Sequence, residues 1–180
     1  MKRENVLVPE DALARQRDFE AKIKEMFNAR EAHPVACVDT FGCQQNVSDS
    51  ERLKGELSEM GYGFTDDINE AQFIIFNTCA VREHAEDRVY GNIGVTKALK
   101  KQNPNIIVAV CGCMAQRQSV ADKIKRSYPY VDMVLGTQVQ HRLPEFIYKR
   151  LSGSGRIFEL ELLNEEIPEG VPIKRDGTFK

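Results

Sequence analysis

The stretch FIIFNTCAVREHAEDRV, residues 73–89, decides the fold. Phe73, Ile74, Ile75 and Phe76 are apolar without alternation, so both faces of an extended segment have to be covered. A charged pattern follows in which Val81, Ala85, Val89 and Ile93 are spaced by four. That spacing predicts a helix over residues 81–101, ended at Asn103-Pro104. A doubly buried strand running directly into a helix is the unit of a parallel α/β sheet. Cys79 stands at the junction, where the apolar run has stopped and the helix has not begun.

The same grammar repeats on both sides. VACVD (35–39), NIIVAV (105–110) and VDMVLG (131–136) read as three more buried strands. Residues 10–31 predict an amphipathic helix, with Phe19, Ile23, Met26 and Phe27 on one face and His33-Pro34 as its stop. Ser48-Asp49-Ser50-Glu51 has the form of a capping box and predicts a helix start; Leu53, Leu57 and Met60 follow at helical spacing, and Gly61 closes it. Val120 and Ile124 mark another helix. So do Leu143, Phe146, Ile147 and Leu151. The expected fold is α/β, an open and mostly parallel sheet with helices on both faces. Residues 1–34 form a helical extension and 35–151 the domain. SGSG (152–155) and the polar, Pro- and Gly-punctuated tail to residue 180 read as a linker toward a missing further domain.

Composition narrows the function. The chain has 180 residues, 42% hydrophobic and 29% charged, with a net charge of −2. That charge argues against a strongly basic nucleic-acid binder. No apolar run is long enough to span a bilayer, and the first residues lack a secretory signal's apolar core. The expected compartment is therefore the cytoplasm. No G-x-G-x-x-G or G-x-x-x-x-G-K-[ST] phosphate loop occurs. Five cysteines in a reducing compartment, an odd number, point away from structural disulfides. Buried thiols, metal ligands and reactive thiols remain.

Three of the five share one placement. Cys43, Cys79 and Cys113 each follow a strand and precede a helix, 36 and 34 residues apart. In an open α/β sheet all such strand ends lie along one edge, which is where ligands bind. Helix N-termini favour the thiolate, the form that binds iron or zinc. The alternatives at this point are a cluster or metal site and separate buried thiols. Cys37, inside the first strand, reads as core. Cys111, two residues before Cys113, shares its face if the strand continues, as a fourth ligand or a neighbour.

DTFGCQQNVSDSE, NTCAVREHAEDRVYGNIG and VAVCGCMAQR, in this order and spacing, resemble the N-terminal domain of the radical-SAM methylthiotransferases over residues 35–180. Gln45 stands where that family often has Met. The resemblance implies that Cys43, Cys79 and Cys113 ligate an auxiliary 4Fe–4S cluster with one open iron. It implies a central domain with a second 4Fe–4S cluster that cleaves S-adenosylmethionine. It also implies a C-terminal TRAM domain and tRNA as substrate, methylthiolated at carbon 2 of an isopentenyladenosine next to the anticodon. Threonylcarbamoyladenosine in tRNA, or a ribosomal protein, is the alternative substrate within the family. An α/β binding module or a zinc module with structural thiols is the alternative outside it. No Cys-x-x-x-Cys-x-x-Cys occurs in these 180 residues, so they are expected to lack radical chemistry and to be inactive alone.

Around the thiols, Asn46 and Asn77 are candidates to hydrogen-bond cluster sulfur, against a loop-forming role. Gly42 and Gly112 precede two of the cysteines and are expected to let the backbone approach the cluster closely or to adopt positive φ. Arg82 faces either the cluster or the tRNA, or makes a surface ion pair. Arg88, Lys97, Lys100 and Lys101 are expected on a solvated helix face.

Overall fold

The computed structural model describes residues 6–79, 85–160 and 166–167. In chain order the elements are β1 (Val6–Leu7), α1 (Glu10–Ala29), β2 (Val35–Phe41), α2 (Gln44–Glu59), β3 (Gly63–Phe64), β4 (Phe73–Thr78) and α3 (Ala85–Gln102). They continue with β5 (Ile107–Gly112), α4 (Gln118–Ser127), β6 (Met133–Leu135), a 3-10 turn (Thr137–Arg142), α5 (Leu143–Leu151), β7 (Ile157–Glu159) and β8 (Glu166–Ile167). Six strands form one sheet in the order β3-β2-β4-β5-β6-β7, and every pairing is parallel. A separate parallel pair joins β1 to β8.

The sheet is doubly wound. From β2 the chain moves one way to β3; from β4 it moves the other way through β5, β6 and β7. The topological switch therefore lies between β2 and β4, and a crevice opens there at the carboxyl ends of the strands.

Period-two alternation divides the core in two. Phe73, Ile75, Ile107 and Ala109 face α1, α2 and α5, whose Ile23, Phe27, Leu53, Leu57, Phe146 and Ile147 cover them. Ile74, Phe76, Val108 and Val110 face α3 and α4 and meet Val89, Ile93, Val120 and Ile124. Every residue of β4 and β5 is buried, as unbroken apolar strands require. Each fully buried Ile or Phe contributes about 1.5–3 kcal/mol. The stop at Gly61 is a Schellman motif: Gly61 has φ +94°, the Tyr62 amide donates to the Leu57 carbonyl (3.0 Å) and the Gly61 amide to that of Ser58 (3.0 Å).

The N-terminal extension contributes α1, which buries Ile23 and Phe27 in the first core layer. Three expectations change. The helix expected to start at the Ser48 capping box starts at Gln44, so Ser50 lies buried inside it. Residues 157–159, expected in the linker, form the edge strand β7 beside β6. Three residues of edge strand are too few to show a period, and only pairing with β6 makes them a strand. Lys100 is not solvated: it reaches over the start of the sheet to Asp132 at 2.5 Å, with 17% of its side chain exposed.

One buried group sets a pH dependence. Glu56 on α2 is 4% exposed and its Oε2 has no hydrogen-bond partner. Burial first, then the nearby Glu20 of α1, hold its carboxyl well above the usual range, against Arg52. Burial and Glu59 push Glu20 to about 7, opposed by Arg17. A native acid with a raised pKa keeps protons that the unfolded chain has released. Stability is therefore full below about pH 4.5 and falls as pH rises through 7. Glu56→Gln is expected to raise the melting temperature at pH 8 by roughly 3–6 °C and to flatten this slope. Thermal melts of both proteins from pH 5 to 8 measure it; parallel curves would remove Glu56 as the cause.

Candidate functional site

The crevice at the switch is built by three loops. The first follows β2 and carries Gly42 and Cys43. The second follows β4 and carries Cys79, whose amide donates to the Phe41 carbonyl (2.9 Å) and extends the β2–β4 pairing by one rung. The third follows β5 and carries Gly112 and Cys113. The five thiols are all free; Cys43 is exposed, Cys113 half-buried, and Cys37, Cys79 and Cys111 are buried.

Cys43 is the N-cap of α2. Its sulfur accepts the Asn46 backbone N–H, and the Asn46 side chain accepts the Cys43 amide at 3.2 Å, a reciprocal capping box with a thiol in the place of a hydroxyl. The backbone N–H groups of Asn46 and Gln45 lower the Cys43 pKa, and the Cys79 thiol, within hydrogen-bonding reach, lowers it further. The dipole of a sixteen-residue helix points at the same atom. Cys113 moves the other way. Burial raises its pKa first, then Cys79, Asp49 and Cys43, which all lie close enough to repel its thiolate. Cys43 and Cys113 are therefore each shifted by neighbouring thiols, but their pKa values move in opposite directions. Cys111 is fully buried in the core layer beneath α2 and α5, and burial pushes its thiol well up.

Under the thiols lies a buried polar knot. Asn46 and Asn77 are both fully buried. Asn46 Nδ2 donates to Asn77 Oδ1 (3.0 Å) and to the Thr78 carbonyl (3.2 Å). Asn77 Nδ2 donates to the Asn46 carbonyl (2.8 Å) and to Ser50 Oγ (3.0 Å), which lies 2.7 Å from Thr40 Oγ1. Thr78 Oγ1 donates to the Cys111 carbonyl (2.6 Å). Of the two asparagines, only Asn46 touches a cysteine sulfur: the Cys43 thiol donates to its Oδ1 at 3.4 Å. Asn77 spends its amide on Asn46 and Ser50.

Both glycines leave no room for a side chain, and only Gly112 has a positive φ. A Cβ on Gly42 would meet Asn46 Oδ1 at 2.1 Å. Gly112 has φ +95°, and its Cβ would meet the Thr78 carbonyl oxygen at 2.4 Å and Asn77 Oδ1 at 2.6 Å. Arg82 lies outside the described residues.

Residue-by-residue reading of the sequence missed four contributors. Ser50, Thr40 and Thr78 complete the knot; the sequence signal for Thr40 and Thr78 is a polar residue at the end of an apolar strand, and Ser50 lies inside α2. Asp49, 8% exposed and bonded by Gln45 Nε2 at 2.9 Å, adds a carboxylate beside Cys113. On the outer side, Gln116 ties the third loop to its neighbours: its Oε1 accepts the Thr137 amide and its Nε2 donates to the Leu160 carbonyl, each at 2.9 Å.

Among the described residues no helix is long and apolar enough to cross a membrane. Nor do any three His, Cys, Asp or Glu side chains there close around one point as ligands of a single ion.

Residues 35–136, more than half of the chain, match the family model described as Uncharacterized protein family UPF0004. A tRNA-2-methylthio-N(6)-dimethylallyladenosine synthase of Acetivibrio thermocellus is 41% identical over 99% of this chain and 38% of its own length. The enzyme of that name from Clostridium perfringens is 46% identical over 80% of the chain and 32% of its own length. The one from a Thermoanaerobacter species is 38% identical over 98% and 37%. The chain thus spans about a third of the length of these curated relatives. The matched segment begins at β2 and ends just beyond β6, taking in all three cysteine loops, and the chain belongs to the UPF0004 family, the N-terminal domain of the methylthiotransferases.

Proposed function

We propose that this chain is the sulfur-handling unit of a tRNA methylthiotransferase, and that Cys43, Cys79 and Cys113 hold an auxiliary 4Fe–4S cluster. The observation that carries the reading is the meeting of three thiols from three separate loops at the switch-point crevice of a doubly wound sheet. The donor set fits the group by type, since thiolates are the ligands of iron–sulfur clusters. When bound, such a cluster supplies an iron without a protein ligand, at which sulfur for the methylthio group is carried.

The chain's own groups prepare that position. The α2 N-terminus stabilises the Cys43 thiolate. Gly42 and Gly112 remove side chains that would collide with the floor of the crevice. Burial, with Cys79 and Asp49, raises the Cys113 pKa, so that binding a metal there would release a proton. The substrate carried over from the relatives is isopentenylated adenosine in tRNA. The second 4Fe–4S cluster, S-adenosylmethionine cleavage and further tRNA contacts belong to sequence beyond these 180 residues. On this reading they give no complete turnover alone and work in the cytoplasm.

The test is reconstitution with iron and sulfide in the absence of oxygen, with iron and sulfide counts and a Mössbauer spectrum. About four irons per chain are expected for a cluster of this type. Cys43, Cys79 and Cys113 changed together to Ala should bind none while keeping the fold. Zinc without labile sulfide would give the zinc-module reading instead, and a folded wild-type chain without iron would return the thiols to structural roles.

A further inference from the structure

We infer that the Asn46–Asn77 clasp, closed on the Thr78 carbonyl, is a positioning device that sets the spacing of the three cysteines in the metal-free chain. The inference rests on the three-thiol reading above, and it assigns Asn77 a task other than contact with sulfur.

The hydrogen bonds converge on one place. The carbonyl of Thr78, the last residue of β4 before the second loop, takes Asn46 Nδ2 from the first turn of α2, just after the first loop (3.2 Å), and the Met114 amide from the third loop (3.4 Å). Asn46 then acts as a lever. One end of its amide is held by Asn77 Oδ1 and Thr78; the other end holds the Cys43 amide and thiol. Asn77 is in turn anchored on the Asn46 carbonyl and on Ser50 one helical turn further along α2. The third loop lies directly on the clasp, because a Gly112 Cβ would come within 2.6 Å of Asn77 Oδ1.

The side-chain amides of Asn46 and Asn77 are fully paired inside the protein, and both are fully buried. Networks of that kind are rigid when complete and costly when broken. None of these bonds requires a metal. The loops are therefore held before a cluster arrives, in contrast to sites that order only on binding.

The test uses the metal-free, reduced chain and phenylarsine oxide, a reagent that bridges two thiols held close together. Wild type is expected to form a bridged adduct on Cys43 and Cys79, located by peptide mapping. Asn77→Ser should slow that capture at least about tenfold at a temperature where its circular dichroism matches wild type. Ile124→Ala opens a cavity in the other core layer without touching the clasp, so it should lose melting temperature and still capture at the wild-type rate. Capture by Asn77→Ser at the wild-type rate would overturn the inference. So would equal slowing in Ile124→Ala, or no bridged adduct in wild type.

Amide hydrogen exchange of wild type keeps the idea falsifiable should Asn77→Ser not fold. The Cys43 amide, donating to Asn46 Oδ1, is expected to be protected without metal; exchange at the free-peptide rate would sink the clasp. Failure of the function reading looks different. In that case the wild-type chain takes up no iron, while arsenical capture still depends on Asn77.

Discussion

Asp132→Ala is expected to cost about 3–5 kcal/mol of folding stability, the loss seen when one partner of a buried ion pair is removed. Asp132 is 4% exposed and stands just before β6. Its Oδ2 accepts Lys100 Nζ (2.5 Å) and the Val108 amide (2.9 Å), and its Oδ1 accepts Arg150 (2.7 Å). One carboxylate thus joins the end of α3, the start of β5 and the end of α5. Removing it leaves two mostly buried cations without a counter-charge and the Val108 N–H without a partner. Against a typical total of about 5–15 kcal/mol, the loss is large enough to leave part of the chain unfolded at 37 °C. Asp132→Asn should lose less, because it keeps an oxygen for Val108. Denaturant titration measures both. The carboxylate lies at the amino ends of the strands, opposite the cysteine loops, so the folded fraction should still capture phenylarsine oxide at the wild-type rate. Slowed capture there would mean that the two ends of the sheet are coupled.

Gly112→Ala acts at the other end and should reach function as well as stability. The φ of +95° strains any residue with a Cβ, and that Cβ would lie 2.4 Å from the Thr78 carbonyl oxygen and 2.8 Å from its amide nitrogen. These are backbone atoms in the centre of the sheet, and they cannot swing aside as a side-chain end can. Strain and overpacking together are expected to cost about 2–5 kcal/mol. The third loop must lift off the clasp to make room, carrying Cys113 away from Cys79. Iron bound after reconstitution should fall by at least about half, even in preparations that remain folded. Gly153→Ala is the control: it also has a positive φ (+91°), but a Cβ there meets nothing within 4 Å. It should lose some stability and bind iron like wild type. Full iron content in folded Gly112→Ala would separate Cys113 from the site.

Much of the architecture was legible because its causes are local. FIIF and NIIVAV announce strands covered on both faces, and four-residue spacing announces helices between them. Placement of Cys43, Cys79 and Cys113 at strand-to-helix junctions follows from that alternation. What local pattern leaves open is which strands lie side by side. The order β3-β2-β4-β5-β6-β7 puts the first two cysteine loops on either side of the switch, and a sheet wound in one direction would have had no switch there.

The helix that opens at Cys43 shows the limit most clearly. Ser48 to Glu51 satisfies the sequence form of a capping box, yet α2 begins four residues before Ser48. Partners 31 and 27 residues away decide it: Asn46 and Ser50 are drawn into the helix by Asn77. Lys100 is a similar case, a lysine on a charged helix that turns inward because Asp132 waits 32 residues on.

By itself, then, the sequence determined the four central strands, the helices between them and their parallel sense, since apolar periodicity and turn chemistry act over a few residues. Only the tertiary structure decided that Cys43 caps α2, that the helix N-terminus lowers the Cys43 pKa while burial raises that of Cys113, and that two asparagines tie the three loops together. Those outcomes depend on burial and on hydrogen-bond partners brought together across the sheet, which no short window of residues contains.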